Sequence, residues 1–189
     1  MRNLGAPARM CTAEQQPDPS NGYEKAAECF MLSRNPQIGA ATVREWSKRL
    51  LRGASVLDIG CGHGTPISQV LIQEGFVLYG VDASAKMIAA FRTNFPHAFA
   101  ECSAVEGSDF FGHTFDGVVA WGLLFLLSPA AQAKLIHKVG KVLRNGGQFL
   151  FTCPRESVTW NDAQSGSESC SLGLPAGRPH ESKRIRLSV

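Results

Sequence analysis

The sequence predicts a doubly wound α/β domain, a mostly parallel sheet with helices on both faces. Three observations carry this prediction. An apolar run at 56–59 leads into glycines at 60, 62 and 64 and then into a helix start at Thr65-Pro66. Strand-like apolar runs alternate with helix-period segments as far as residue 153, the pattern of parallel strands joined by right-handed crossovers. An acidic residue, Asp82, ends the second run, about 20 residues after the glycine turn, where an open α/β domain places a carboxylate for a ribose.

Composition narrows the functional classes. A chain of 189 residues suffices for one domain with a real core. Its 44% hydrophobic and 19% charged residues are ordinary for a globular protein. The net charge of +3, much of it in the last dozen residues, is too small to argue for nucleic acid. No apolar run reaches the roughly 18 residues of a membrane span, and residues 1–20 lack the apolar centre of a signal peptide. The six cysteines include no C-x-x-C pair, and Cys61, Cys102 and Cys153 fall in or beside apolar strand segments. A disulfide framework or metal site is therefore not expected, and a reduced, cytoplasmic protein is.

Residues 1–19 carry Pro7, Pro17 and Pro19 without periodicity and read as a disordered lead-in. Residues 20–160 form the expected folded domain, and 161–189, rich in Ser, Gly and Pro, an irregular tail. Tyr23, Ala26, Ala27, Phe30 and Met31 share one helical face over 21–34. Asn35-Pro36 opens a second helix whose Ile38, Val43, Trp46 and Leu50 form a stripe ending at Gly53. Strand 1 at 55–59 follows. Thr65 and Pro66 then supply an N-cap and a first helical proline for a helix closed by Gly75. Strand 2 spans 76–81, and Ser84 caps a helix that Pro96 stops. Strand 3 is expected at 99–102 and strand 4 at 115–121, apolar enough to be buried on both faces. Ser128-Pro129 starts a helix that Asn145-Gly146-Gly147 ends, and strand 5 follows at 148–153.

The segments V-L-D-I-G-C-G-H-G at 56–64, G-V-D-A-S at 80–84 with Met87, F-D-G-V-V-A-W at 115–121 and V-L-R-N-G-G-Q-F-L at 142–150 resemble successive motifs of class I S-adenosylmethionine-dependent methyltransferases. They run in that family's order over roughly residues 20–155. The resemblance implies a Rossmann-like sheet of strand order 3-2-1-4-5, with S-adenosyl-L-methionine as cofactor. It implies that Gly60, Cys61 and Gly62 lie against the cofactor's methionine part, that Asp82 binds the ribose, and that Ala83 and Met87 flank the adenine. Tyr23 and Arg34 resemble the aromatic and basic residues that face the cofactor's carboxylate. Ser103 and Ala104 align where many members carry an acid for the adenine amino group. Trp121, at the end of strand 4, is expected in the wall between cofactor and acceptor.

Transfer of a methyl group by in-line displacement needs positioning more than acid–base machinery, so no catalytic residue can be named from the sequence. His63 in the glycine loop and His113 before strand 4 are candidate bases, although exposed loop histidines are commoner than catalytic ones. The family's amine methylators of DNA carry N/D-P-P-Y/F where this chain has A-W-G-L-L-F. A small-molecule acceptor is the expectation, with no nucleic-acid or membrane partner.

A nicotinamide-dependent oxidoreductase shares the glycine loop and the strand-2 acid and remains an alternative. So does an inactive cofactor binder. The family's last two strands, 6 and 7, have no recognisable counterpart, and the tail after about Leu174 reads like foreign sequence, as in a truncated or frame-altered product. Strand 5 would then be an open apolar edge prone to self-association.

Overall fold

The computed structural model describes residues 18–153, 158–161, 168–171 and 183–185. Two helices, α1 (Tyr23–Ser33) and α2 (Ala40–Ser47), precede the first strand. Then β1 (Ser55–Ile59), α3 (Ile67–Gln73), β2 (Val77–Asp82), α4 (Ala85–Asn94), β3 (Phe99–Cys102), β4 (Phe115–Ala120), α5 (Pro129–Val142) and β5 (Leu143–Phe151) alternate along the chain. Their sheet runs β3-β2-β1-β4-β5, every pair parallel. This is the Rossmann-like order the motifs imply.

Side-chain alternation along the strands explains the two cores. Leu57 and Ile59 of β1 and Val118 of β4 face one side, where Phe110, Phe115, Leu135 and Phe149 complete a cluster under α5. Val56 and Val119 face the other, against Trp46, Leu71, Ile88 and Phe91 from α2, α3 and α4. Because successive residues of a strand point to opposite faces, a run such as F-D-G-V-V-A supplies both layers at once.

Helix starts follow the caps only in part. The Ser84 hydroxyl accepts from Met87 N at 3.2 Å, and that of Ser128 from Ala131 N at 3.3 Å. At α3 the expected Thr65 cap is not used. Helix α3 begins at Ile67 after Pro66 with no side-chain cap, and its first amides go to backbone carbonyls, Gln69 N to Gly64 O and Val70 N to Pro66 O, both at 3.0 Å. Helix α5 stops at Val142, earlier than Asn145-Gly146-Gly147 suggests. Gly146, at φ 78°, instead sits inside β5 where the register with β4 jumps from Phe115↔Leu143 to Gly117↔Gln148. The positive-φ residue makes a bulge and not a helix terminus.

Past β5 three short strands are described: β6 (Val158–Asn161) at the end of the expected domain, and β7 (Glu168–Ser171) and β8 (Lys183–Ile185) where the sequence suggests an irregular tail. β6 and β7 pair with each other as an antiparallel hairpin, and β8 runs antiparallel to Phe149–Phe151 of β5. The open edge expected at β5 is thus paired over those three residues. Segments of three and four residues are too short for their alternation to be read. The expected disorder of 1–17 lies outside the described residues.

Phe91 is wholly buried, its ring fitted beneath the backbone of Gly80, where a Cβ would lie 2.9 Å from it. Phe91→Ala is expected to cost roughly 3–5 kcal/mol. Urea denaturation will show this as a lower midpoint with an unchanged slope.

Candidate functional site

The site is built where β1, β2 and β4 end. As the chain leaves β1, the amides of Gly60 and Cys61 both donate to Val81 O, at 2.8 and 3.1 Å. This folds the glycine loop over the end of β2. There the Asp82 carboxylate is held between two backbone donors: Gly62 N donates to Oδ2 at 2.8 Å and Ser84 N to Oδ1 at 2.9 Å. Each oxygen keeps further lone-pair capacity. Burial pushes the Asp82 pKa up, and the Ser84 and Gly62 amides oppose that rise.

Two glycines in the loop serve different ends. At Gly62, φ 55°, an added Cβ would meet only Met87 Sδ at 3.9 Å, so the loop is bare toward the cleft. At Gly64, φ 89°, a Cβ would stand 2.2 Å from Phe95 Cε2. That glycine is demanded by helix α4 and not by a ligand.

The N-terminal segment closes over this corner. Glu24 Oε2 of α1 accepts from the Ser84 hydroxyl at 2.6 Å and from Lys86 N at 3.2 Å. The Asn21 amide donates to Leu126 O at 3.1 Å. On the inner side of α1, Tyr23 and His63 each stand edge-on to Phe30, at 5.4 and 6.4 Å, and the Arg34 guanidinium lies 5.0 Å from the same ring. Arg34 Nε is buried with no hydrogen-bond partner. Burial lowers the Arg34 pKa, with Tyr23 and Asp58 acting against it.

Asp58, only 1% exposed, accepts from the Ser68 hydroxyl at 2.5 Å. Its pKa is raised to about 7, chiefly by burial and further by Asp82, while Ser68 and Arg34 pull it down. Burial, and secondarily Arg34, lowers the pKa of His63. Burial raises that of Cys61 well above the ordinary thiol value, which leaves it an unreactive thiol.

Of these groups, Tyr23, Phe30, Arg34, Asp58, Cys61, His63 and Asp82 line one cleft of about 430 Å³. Of the residues singled out in the sequence, Tyr23 and Arg34 reach it from the N-terminal segment, and Gly60, Cys61 and Gly62 from the loop. Asp82, Ala83, Met87 and Trp121 reach it from the strand ends and α4. Ser103 and Ala104 do not. Ser103 N donates to Asp82 O at 2.9 Å and its hydroxyl to Ala104 O at 3.2 Å, and the lining is made by Val105 and Glu106 just beyond.

Trp121, Leu123, Phe125, Leu126 and Leu127 form an apolar wall. The Trp121 ring lies so close over Gly39 that a Cβ there would approach it to 2.4 Å. His113 does not line the cleft and is stacked at 5.1 Å on Tyr79. Among the described residues no cluster of His, Cys, Asp and Glu could hold a metal ion, and no helix is long and apolar enough to cross a membrane.

Sequence reasoning left Asp58, Glu24 and Glu106 without a role. Asp58 carried a usable signal, since an acid inside a doubly buried strand demands a reason. Glu24 carried none, because its partner Ser84 is 60 residues away in the chain.

Residues 56–147 match the family model described as a methyltransferase domain. The chain is 31% identical over 171 residues to the cypemycin N-terminal methyltransferase of a Streptomyces species, covering 85% of this chain and 66% of that one. It is 28% identical over 142 residues to the ubiquinone biosynthesis O-methyltransferase of Erwinia tasmaniensis, covering 72% and 57% respectively. It spans only about half to two thirds of the length of such curated relatives. Among solved structures, the magnesium protoporphyrin IX methyltransferase of Synechocystis with bound SAM superposes with a TM-score of 0.63 at 14% identity, over 84% of this chain and 97% of that one. This last likeness establishes the fold. Residues 56–147 are thus a methyltransferase domain by the family model they match, on a fold shared with an S-adenosylmethionine-bound methyltransferase.

The buried Asp58 makes a pH prediction. Its folded pKa, about 7, lies above the ordinary 3.8, so the folded chain holds this proton more tightly than the unfolded one. Its contribution to stability is therefore largest at acid pH and falls as pH rises from about 4 to about 7, by a few kcal/mol at most. Asp58→Asn is expected to reduce the drop in melting temperature between pH 5 and pH 8, as read by differential scanning calorimetry.

Proposed function

We propose that this chain binds S-adenosylmethionine in the cleft and catalyses transfer of its methyl group to a small-molecule acceptor. The observation that carries the reading is the juxtaposition of a bare glycine loop with a carboxylate that two backbone amides hold at the cleft. The residues present fit the cofactor. Asp82 retains lone pairs for two ribose hydroxyls. The unpartnered, buried Arg34 Nε suits a carboxylate, and Asp58, buried in the same cleft, suits an ammonium. Together they complement an amino-acid zwitterion. Ala83, Met87 and Val105 supply apolar surface for the adenine, and the volume lies in the range of small-ligand sites.

When bound, the cofactor supplies an electrophilic methyl group on a sulfonium. The chain's own task is then to orient and to exclude water. Gly60 and Cys61, hydrogen-bonded to Val81, keep the loop fixed at the end of β1. Trp121 and the Leu123–Leu127 segment present a dry wall toward the acceptor. His63, kept neutral near pH 7 by burial and by Arg34, lines the cleft and can accept a proton from the acceptor. The apolar wall and the modest net charge of +3 support a small-molecule acceptor, as do the relatives named for ubiquinone biosynthesis.

Calorimetric titration tests the reading. S-adenosylhomocysteine is expected to bind and NADH not. Asp82→Ala should lower adenosylhomocysteine affinity about 10- to 100-fold, the effect of losing charged hydrogen bonds to the sugar. An unchanged affinity, or preferential binding of NADH, contradicts it.

A further inference from the structure

One side chain of α5 reaches the loop that carries Val105 and Glu106 of the cleft lining. Lys138 Nζ donates to Val105 O at 2.8 Å, to Glu106 O at 3.3 Å and, at close range, to Ser108 O. Its ammonium also lies 4.5 Å from the centre of the Phe110 ring. An ammonium has three N–H donors and no acceptor, and here three carbonyls of a single loop lie within its reach. The loop's remaining bonds are internal or to β3. Gly107 N and Ser108 N both donate to Ala104 O at 3.0 Å. The Ser108 hydroxyl donates to Glu101 Oε2 at 2.8 Å and accepts from Phe110 N at 3.0 Å. The two residues whose carbonyls Lys138 holds, Val105 and Glu106, are those this loop contributes to the cleft lining.

We propose that Lys138 is a positioning residue for nucleoside binding: it gathers three carbonyls of the 105–108 loop so that Val105 and Glu106 stand at the cleft. The inference rests on the cofactor reading above. Lys138 itself does not line the cleft, so its influence on a ligand must pass through the loop. The three carbonyls, drawn toward one cation, cannot turn outward without leaving that charge half-buried beside Phe110. Arg would keep the charge, but a planar guanidinium fork does not match three converging oxygens. Since the nucleoside end alone depends on this loop, the effect should be indifferent to the amino-acid end of the ligand.

The experiment is calorimetric titration of wild type, Lys138→Met and Lys138→Arg with S-adenosylhomocysteine and with 5′-methylthioadenosine, which lacks the amino-acid part. It is run at a temperature where circular dichroism shows each chain fully folded, so that a purely stabilising role would leave affinity unmoved. Lys138→Met is expected to weaken both ligands by the same factor, about tenfold, the scale of losing charge-assisted hydrogen bonds at a binding loop. Lys138→Arg is expected to weaken both equally by a smaller factor, and it carries the test alone should the Met variant not fold. A folded variant that binds both ligands as wild type does overturns the inference and leaves the cofactor reading standing. So does one that loses affinity for adenosylhomocysteine alone. A wild-type chain that binds neither ligand overturns the cofactor reading, and this inference with it.

Discussion

The hydrogen bond from the Gly62 amide to the Asp82 carboxylate, 2.8 Å long, is the constraint on which the rest of the site depends. A carboxylate at the end of a buried strand is costly unless donors meet it. Here the donors are backbone amides from the loop after β1 and from the start of α4. One acidic side chain therefore does two things: it fixes the path of the glycine loop, and it stays ionisable beside a cleft. The loop can take that path because Gly62 occupies positive φ with no side chain on the cleft side. Neighbouring Gly64 answers a different demand, the closeness of Phe95 just past the end of α4.

Around this corner the cleft is assembled from segments distant in the chain, each held by its own polar contact. Glu24 docks α1 on the α4 start through Ser84 and Lys86, which brings Tyr23, Phe30 and Arg34 over the loop. Lys138 gathers the loop after β3 from the opposite side. Between them stand the buried Asp58 and the half-buried Arg34, whose buried Nε lacks a partner. Charges in so dry a place interact far more strongly than in water. That is why the Asp58 pKa is lifted by burial while Arg34 opposes the rise. In the proposed reading an amino-acid zwitterion complements both groups at once.

Much of this architecture was legible from residue patterns. The runs at 56–59 and 115–120 are apolar on both faces, and the structure buries both, so period and composition sufficed for the central strands. Ser84 and Ser128 announced α4 and α5 because a cap is a local interaction. Features that failed to show are non-local or too short. The start of α3 is met by backbone carbonyls and needs no capping side chain, so Thr65 misleads. Gly146 signals positive φ, but whether that residue ends a helix or bulges a strand is decided by β4 alongside. The strand at 183–185 is three residues long, and only its pairing with β5 reveals it. At the site, the Asp82 position followed from spacing. The replacement of Ser103 and Ala104 by Val105 and Glu106 at the lining depends on how far the chain travels after β3, where the carbonyls of Val105 and Glu106 meet Lys138 from 33 and 32 residues downstream.

The central claim is that Asp82, oriented by the Gly62 and Ser84 amides, accepts the ribose hydroxyls of an adenosyl ligand. A double-mutant cycle measures this directly, pairing Asp82→Ala with a 2′,3′-dideoxy analogue of adenosylhomocysteine. The account predicts strong coupling: the missing hydroxyls weaken binding to the wild-type chain at least tenfold and make almost no difference once Asp82 is gone. Equal losses from the dideoxy analogue with and without Asp82 would contradict it.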